Sequence, residues 1–381
     1  MTALANLIAR AAAAILPRHL KGWGQAMRDE VAGIEGREAA RYALGCLGCA
    51  LREAAYHHFI LPFAPPQATE DSIGGRGTQQ MDTTNGLLDH PRRVALACGA
   101  AATCAGLGYM GLGGAPLRYL AMNGGAFVLG TLILGGVLAT MRGARLSAGA
   151  VSVVLAFTLL GTALFGMSVN GAARWVAIGG ISIQPSLILL PVLVVGFARN
   201  RDGLSALAML IATAAMAAQP DRAMAGALLA GLAGLALVRR ERAVLAAMAG
   251  AAAGFAVTML RPDIQPAMPY VDQILWTAFE VSPIAGMLVV GGALVMLLPA
   301  LLGLRRDREV NAVFGALWLA VIVAAALGNY PTPVVGYGGS AIIGYLLTLS
   351  ALSARAATVT AGQVAEPNDG AGPLTMAINP G

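Results

Sequence analysis

Charged side chains are scarce in this chain, so the few polar groups that interrupt its apolar runs are where chemistry has to sit. Of 381 residues, 57% are hydrophobic and 12% charged. Three interruptions concentrate groups able to move protons or hold anions. One reads Asn170-Gly171-Ala172-Ala173-Arg174-Trp175 and runs on to Gln184-Pro185-Ser186. A second reads Gln219-Pro220-Asp221-Arg222, and a third, 261–280, carries Arg261, Asp272 and Glu280. Arg118 at the start of one apolar run, and Pro333-Val334-Val335-Gly336-Tyr337-Gly338-Gly339-Ser340 at the start of another, complete the set. Carboxylates of this kind act as general bases, and guanidinium forks hold anionic oxygens. A stretch with Asn170, Arg174, Trp175 and Gln184 does not lie in lipid with its polar groups unpaired, so it is either a structured extramembrane loop or the lining of a cavity.

The elements that must position these residues are membrane helices. Soluble domains carry roughly 25% charged residues, about twice the share found here. The 49 glycines suit close helix–helix approach in a bilayer. Ten apolar runs approach the ~20 residues needed to cross a bilayer core: 94–113, 117–139, 146–167, 183–198, 203–219, 223–238, 241–260, 283–304, 309–328 and 334–354. The fourth, fifth and sixth are short, as extensions into polar flanks or broken helices around a cavity would be. Under strict alternation of ten spans, one set of ends carries 13 arginines: 92, 93, 142, 145, 199, 201, 239, 240, 242, 305, 306, 308 and 355. The other set carries Arg118, Arg174, Arg222 and Arg261. The positive-inside rule then predicts both termini in the cytoplasm, with loops 168–182 and 261–282 outside. The net charge of +6 is thereby a topology signal rather than a nucleic-acid signal.

Outside the spans the chain changes character. Residues 1–62 read as a small cytoplasmic helical module, with helix candidates over 3–16, 19–34 and 37–58. Residues 63–91, with Pro65-Pro66 and Gly74-Gly75, read as a disordered linker, and 356–381 as a disordered cytoplasmic tail. Cys46-x-x-Cys49 followed by His57-His58 fits no established zinc-finger spacing and reads as helix packing. The fold class is therefore all-α: a polytopic membrane protein of about ten helices with a small helical N-terminal module.

Three of the polar segments, in this order on a ten-span frame, resemble the SEDS (FtsW/RodA/SpoVE) family of shape, elongation, division and sporulation proteins. The family shows Asn-Gly-Ala-x-Arg-Trp…Gln-Pro-Ser, then Gln-Pro-Asp before the sixth span, then Pro-Phe-x-Ser-Tyr-Gly-Gly-Ser entering the tenth. Here they stand at 170–186, 219–221 and 333–340, and the resemblance covers about 92–354. It implies a bacterial inner-membrane peptidoglycan glycosyltransferase that polymerises lipid II into glycan strands at the outer face. It also implies a class B penicillin-binding protein, a transpeptidase, as partner. Tyr270-Val271-Asp272-Gln273-Ile274-Leu275-Trp276 aligns with the family segment that holds its proposed catalytic aspartate, so Asp272 falls on the general-base position and Glu280 on a family glutamate. The base takes the proton from an acceptor hydroxyl as it attacks the donor's anomeric carbon. Arg174 and Arg118 are the expected clamps on the leaving lipid pyrophosphate, with Arg222 beside them. Gln184, Asp221 and Ser340 are carried over as substrate-binding positions. The family's use of a divalent cation finds no ligand cluster in the sequence.

Each residue also has a plainer reading. A loop aspartate is ordinarily solvated, outward arginines snorkel to headgroups, and Asp221 can simply cap the sixth helix. The chain departs from the family where Gln-Pro-Ser usually continues as Glu-x-x-Lys: Leu187 and Leu190 stand there. Two other functions stay open, and the departure favours the second. One is a flippase or transporter for lipid-linked precursors, and the other a catalytically silent scaffold for cell-division proteins.

Overall fold

A computed structural model describes residues 2–16, 20–34, 36–55, 90–141, 147–263, 265–304 and 307–352. The expected linker up to residue 89, the tail from 356, and His57 and His58 lie outside the described residues.

Three helices open the chain: α1 (Thr2–Ile15), α2 (Lys21–Ala32) and α3 (Gly36–Ala55). α1 packs on both of the others. Small residues make the contact, with Ala5, Ala9, Ala39 and Ala43 buried together with Val31. Cys46 is buried beside Ala12, Leu16, Met27 and Ala50, which is helix packing.

The remainder is a bundle of apolar helices. They are α4 (Pro91–Leu112), α5 (Leu117–Met141), α6 (Ala148–Phe165), α7 (Pro185–Arg199), α8 (Gly203–Ala218), α9 (Arg222–Val238), α10 (Arg242–Met259), the short α11 (Ile274–Val281), α12 (Pro283–Val295) continuing as α13 (Leu298–Gly303), α14 (Arg308–Leu327) and α15 (Gly339–Thr348). Six segments are long and apolar enough to cross a membrane: α4, α5, α6, α10, α12 with α13, and α14. Four shorter apolar helices, α7, α8, α9 and α15 with its 3-10 extension to Ala351, fall on the other expected runs. The protein is a polytopic helical membrane protein.

Local sequence explains where the helices begin. Ser147, Asp202, Asp221 and Ser282 sit at N-cap positions, where each side-chain oxygen accepts a main-chain N–H three residues on. Such caps satisfy donors that a helix start leaves orphaned. The core centres on α7, α9 and α14, where Leu190, Val194, Leu228, Leu232, Val313 and Trp318 are buried. Leu187 and Leu190 are both inside it. α15 crosses α7 at Gly344, where any side chain would collide with the Leu187 carbonyl.

One element departs from the all-α expectation. Residues 167–183 fold as a three-stranded antiparallel sheet, β1 (Met167–Val169), β2 (Ala172–Ile178) and β3 (Ile181–Ile183), in the order β1-β2-β3. The two turns are Asn170-Gly171 and Gly179-Gly180, and all four residues have positive φ. Two-residue hairpin turns need that backbone, and Asn-Gly and Gly-Gly supply it with the least strain. The polar interruption is thus a folded meander rather than irregular loop. The last helix also starts later than the expected 334, at Gly339, because Val334 is left-handed and 331–338 runs as buried non-helical chain.

Candidate functional site

The polar segments converge at the arginine-poor end of the bundle, the end that the arginine asymmetry predicts to face outward. The meander brings Arg174 to its middle strand, with the side chain buried against a carboxylate. Arg174 Nη2 lies 2.7 Å from Asp263 Oδ2, and both side chains are less than one-tenth exposed. The same nitrogen donates to the Pro220 carbonyl. The Tyr330 ring lies 5.9 Å from the guanidinium carbon, and its hydroxyl donates to Asp263 Oδ2 at 2.6 Å. Burial works against the Arg174 charge, but Asp221 and Asp263 outweigh it and hold the guanidinium above its ordinary pKa. The Tyr330 phenol is pushed up by its burial and by the hydrogen bond to Asp263.

A second cluster joins three segments. Gln184 Nε2 donates to Asp221 Oδ2 at 3.1 Å, and Ser186 Oγ donates to the same oxygen at 2.9 Å. Asp221 Oδ1 accepts from Met224 N at 3.2 Å, which is the cap of α9. The Gln184 main-chain N–H donates to Ser340 Oγ at 3.0 Å. Gln184, Asp221 and Ser340 therefore meet, although they come from three distant parts of the sequence. Asp221 caps α9, as its plainer reading has it, and the same carboxylate joins the polar cluster.

Asp272 stands apart from the cations. It is 9% exposed, and among the described residues its carboxylate accepts from its own turn alone, with Met268 N 2.9 Å from Oδ2. Burial raises its pKa, and the hydrogen bond from Met268 offsets part of that shift. Its neighbours Tyr270 and Gln273 both have positive φ, 64° and 56°. Left-handed backbone at non-glycine residues is strained by about 1–3 kcal/mol each and tends to collect at functional sites. Main-chain bonds fix this turn to the chain before α15: Thr332 N donates to the Val271 carbonyl at 3.0 Å and Tyr337 N to the Tyr270 carbonyl at 2.6 Å. Tyr270 also donates to the Gly113 carbonyl at 2.6 Å, and its ring meets those of Tyr109 and Tyr119.

The other expected residues are distributed differently. Arg118 is exposed, and its guanidinium lies 5.3 Å from the Tyr119 ring centre. Arg222 donates to the Arg261 carbonyl at 2.9 Å. Glu280 is exposed on α11. Among the described residues, no group of three or more His, Cys, Asp or Glu side chains converges in a way that would hold a metal ion. Asp221 and Asp263 are already committed to protein donors, so this donor set does not fit a divalent cation. Asp263 and Tyr330 were not singled out from the sequence. Tyr330 lies in a polar break, Asn329-Tyr330-Pro331-Thr332, and Asp263 in a segment already marked as polar, but their pairing with Arg174 is written only in the fold.

Fold and site together define a polytopic helical membrane protein with a buried polar site at one end of its bundle. The chain is similar to the crystal structure of the rod shape determining protein RodA from Thermus thermophilus, with TM-score 0.49 and 20% identity over 67% of this chain and 93% of that one. A mutant of the same protein gives TM-score 0.48 at 20% identity. A structure described as the coordination of polymerization and crosslinking by a peptidoglycan synthase complex gives TM-score 0.46 at 19% identity, covering 67% of this chain and 94% of that one. No protein-family model matches the sequence, and no curated protein matches it.

Proposed function

We propose that this protein is a peptidoglycan glycosyltransferase that extends glycan strands from lipid II at the outer face of a bacterial inner membrane, with Asp272 as general base. The observation that carries the reading is the state of Asp272. It is a nearly buried carboxylate with no cation paired to it among the described residues, held in a turn bracketed by two left-handed residues. A base works best with a pKa near the working pH, and burial moves this carboxylate in that direction. The ordered motif resemblance at 170–186, 219–221 and 333–340 supports the same reading, as does the meeting of Gln184, Asp221 and Ser340.

In this reaction Asp272 takes the proton of the acceptor sugar hydroxyl as its oxygen bonds to the donor's anomeric carbon, and the bond from that carbon to the lipid pyrophosphate breaks. The leaving group gains charge and needs a cation. Arg174 is the poorer clamp, because its guanidinium is already paired with Asp263 inside the protein. Its part is to build the wall, while the exposed Arg118 and the partly buried Arg222 supply charge at the surface. Glu280 and Ser340 are kept as substrate contacts. The partner is a class B penicillin-binding protein, which would cross-link the product strand. Residues 1–62 are a cytoplasmic module joined by the 63–91 linker to the membrane domain 92–355.

The test is polymerisation of lipid II by the purified full-length protein with its transpeptidase partner, comparing wild type with Asp272→Ala. Polymer from wild type and none from the variant supports the reading. Equal polymer from both removes Asp272 as base. A well-folded wild type that makes no polymer points instead to the silent scaffold, the reading that the burial of Leu187 and Leu190 in the core favours.

A further inference from the structure

One polar side chain inside a membrane helix has no part in the site described above. Asn123 lies on α5, two turns in from its outer end, and is fully buried. A buried amide in a lipid-facing helix is costly unless both its ends are bonded, and such residues are seldom retained without use. Both ends of Asn123 are bonded, and neither bond is to its own helix. Its Nδ2 donates to the Gly336 carbonyl at 2.8 Å, and its Oδ1 accepts from Gly338 N at 3.0 Å. The two partners flank Tyr337, whose ring stacks on Tyr119 of the same α5 helix with centres 3.8 Å apart.

The clasped segment is unusual backbone. Residues 331–338 are non-helical and largely buried within the bundle, where main-chain groups without helix partners must find bonds elsewhere. The Val335 main chain presses against α4 at Gly106, where a side chain would collide with the Val335 carbonyl. From this segment Thr332 N and Tyr337 N reach the carbonyls of Val271 and Tyr270, the residues just before Asp272. A continuous chain of hydrogen bonds therefore runs from the Asn123 amide through Gly336 and Gly338 to the turn that carries Asp272.

We infer that Asn123 is a positioning residue, whose side-chain amide holds the 331–338 segment and through it fixes the turn bearing Asp272. The inference rests on the reading of Asp272 as the base, but the clasp itself is tested without activity. Asn123→Leu keeps the approximate shape and removes both bonds. In the purified full-length protein, hydrogen exchange read by mass spectrometry should accelerate about tenfold at the Thr332, Tyr337 and Asp272 amides, the scale expected for losing one or two net hydrogen bonds. Asn311 is the matched comparison, a buried asparagine of α14 whose amide donates within its own helix to the Asp307 carbonyl. Asn311→Leu should leave those three amides at wild-type rates. If Asn123→Leu does not fold, Asn123→Ser removes the reach to two partners with a smaller change in polarity, and the same amides are read.

Wild-type exchange rates at the three amides in the Asn123 variant overturn the inference, as does equal acceleration in Asn311→Leu. In the polymerisation assay Asn123→Leu should lower kcat at least tenfold with KM for lipid II retained, because misplacing a catalytic group slows the chemical step. A change confined to KM also overturns the positioning role. If exchange accelerates as expected while wild type makes no polymer, the clasp stands and the glycosyltransferase reading falls.

Discussion

The two ends of the bundle use charge in opposite ways. At the arginine-rich end, ion pairs run from the surface to partly buried positions: Arg199 with Asp307, Arg201 with Glu241 and Glu309, and Arg239 with Glu309. Arg239 keeps more than half of its side chain exposed. At the opposite end Arg174, Asp221, Asp263 and Asp272 are all buried. Water reaches every pair of the first set and leaves the exposed ones, such as those of Arg239, worth little, whereas burial makes every partner in the second set matter. Function is expected where charge is held at a cost to stability, and that is the arginine-poor end.

Breaking this contrast should produce effects in a definite order. The largest belongs to Asp272. Asp272→Asn should reduce lipid II polymerisation by about a hundredfold or more, the scale of general-base catalysis, as measured by product-length analysis on gels. Next is Arg174→Ala, which strands Asp263 inside the protein and should cost about 3 kcal/mol or more. It should appear as a lower melting temperature in detergent, even in an assay that ignores activity. Removing Asp263 together with Arg174 should recover part of that loss, since no buried charge is then unpaired.

A smaller effect concerns pH. The folded state raises the Asp272 pKa, so above the ordinary aspartate range it holds a proton that the unfolded chain releases. Stability contributed by that proton is present at low pH and is lost as pH rises from 3.8 through the raised value. Asp272→Asn should therefore melt no lower than wild type at neutral pH and should lose the pH dependence in that window. Wild-type polymerisation should fall on acidification at a pH above the ordinary aspartate value, because the base is then protonated. The smallest effect belongs to the other end. Arg239→Ala should leave both the melting temperature and activity unchanged at physiological ionic strength, because that side chain is exposed and its pairing is screened.

Much of the fold is written in local pattern. Ten apolar runs in sequence correspond to ten apolar helical segments, because span length and hydropathy are set residue by residue. The meander was legible in principle, since Asn170-Gly171 and Gly179-Gly180 are hairpin signals. Inside an apolar chain, however, their polarity reads equally as loop. The last helix starts later than its apolar run because Val334 and Val335, strong apolar residues, pack as a buried turn rather than helix. At the site, Asp272 and the Gln184–Asp221–Ser340 group could be named from motif order. The Arg174–Asp263–Tyr330 cluster could not, because nothing in the spacing of those residues says that the meander folds over the 261–273 loop. Asn123 was equally silent: a lone asparagine in a helix shows its value only when its two partners are seen.

The shorter helices have a consequence for the bilayer itself. α8 has 16 residues, so its apolar height is about 24 Å, against a hydrocarbon core of ~30 Å. Leu204, Leu207 and Leu210 expose one of its faces, while α5, with 25 residues, reaches about 37 Å. Lipid around the protein therefore meets a stepped collar rather than an even band. Such steps are met by bilayer thinning beside the short side, by snorkelling of flanking residues or by association, each at fractions of a kcal/mol per Å. Where thinning is the response, the membrane beside α8 dimples, and the depth at which a lipid-borne headgroup rides depends on which flank of the protein it approaches.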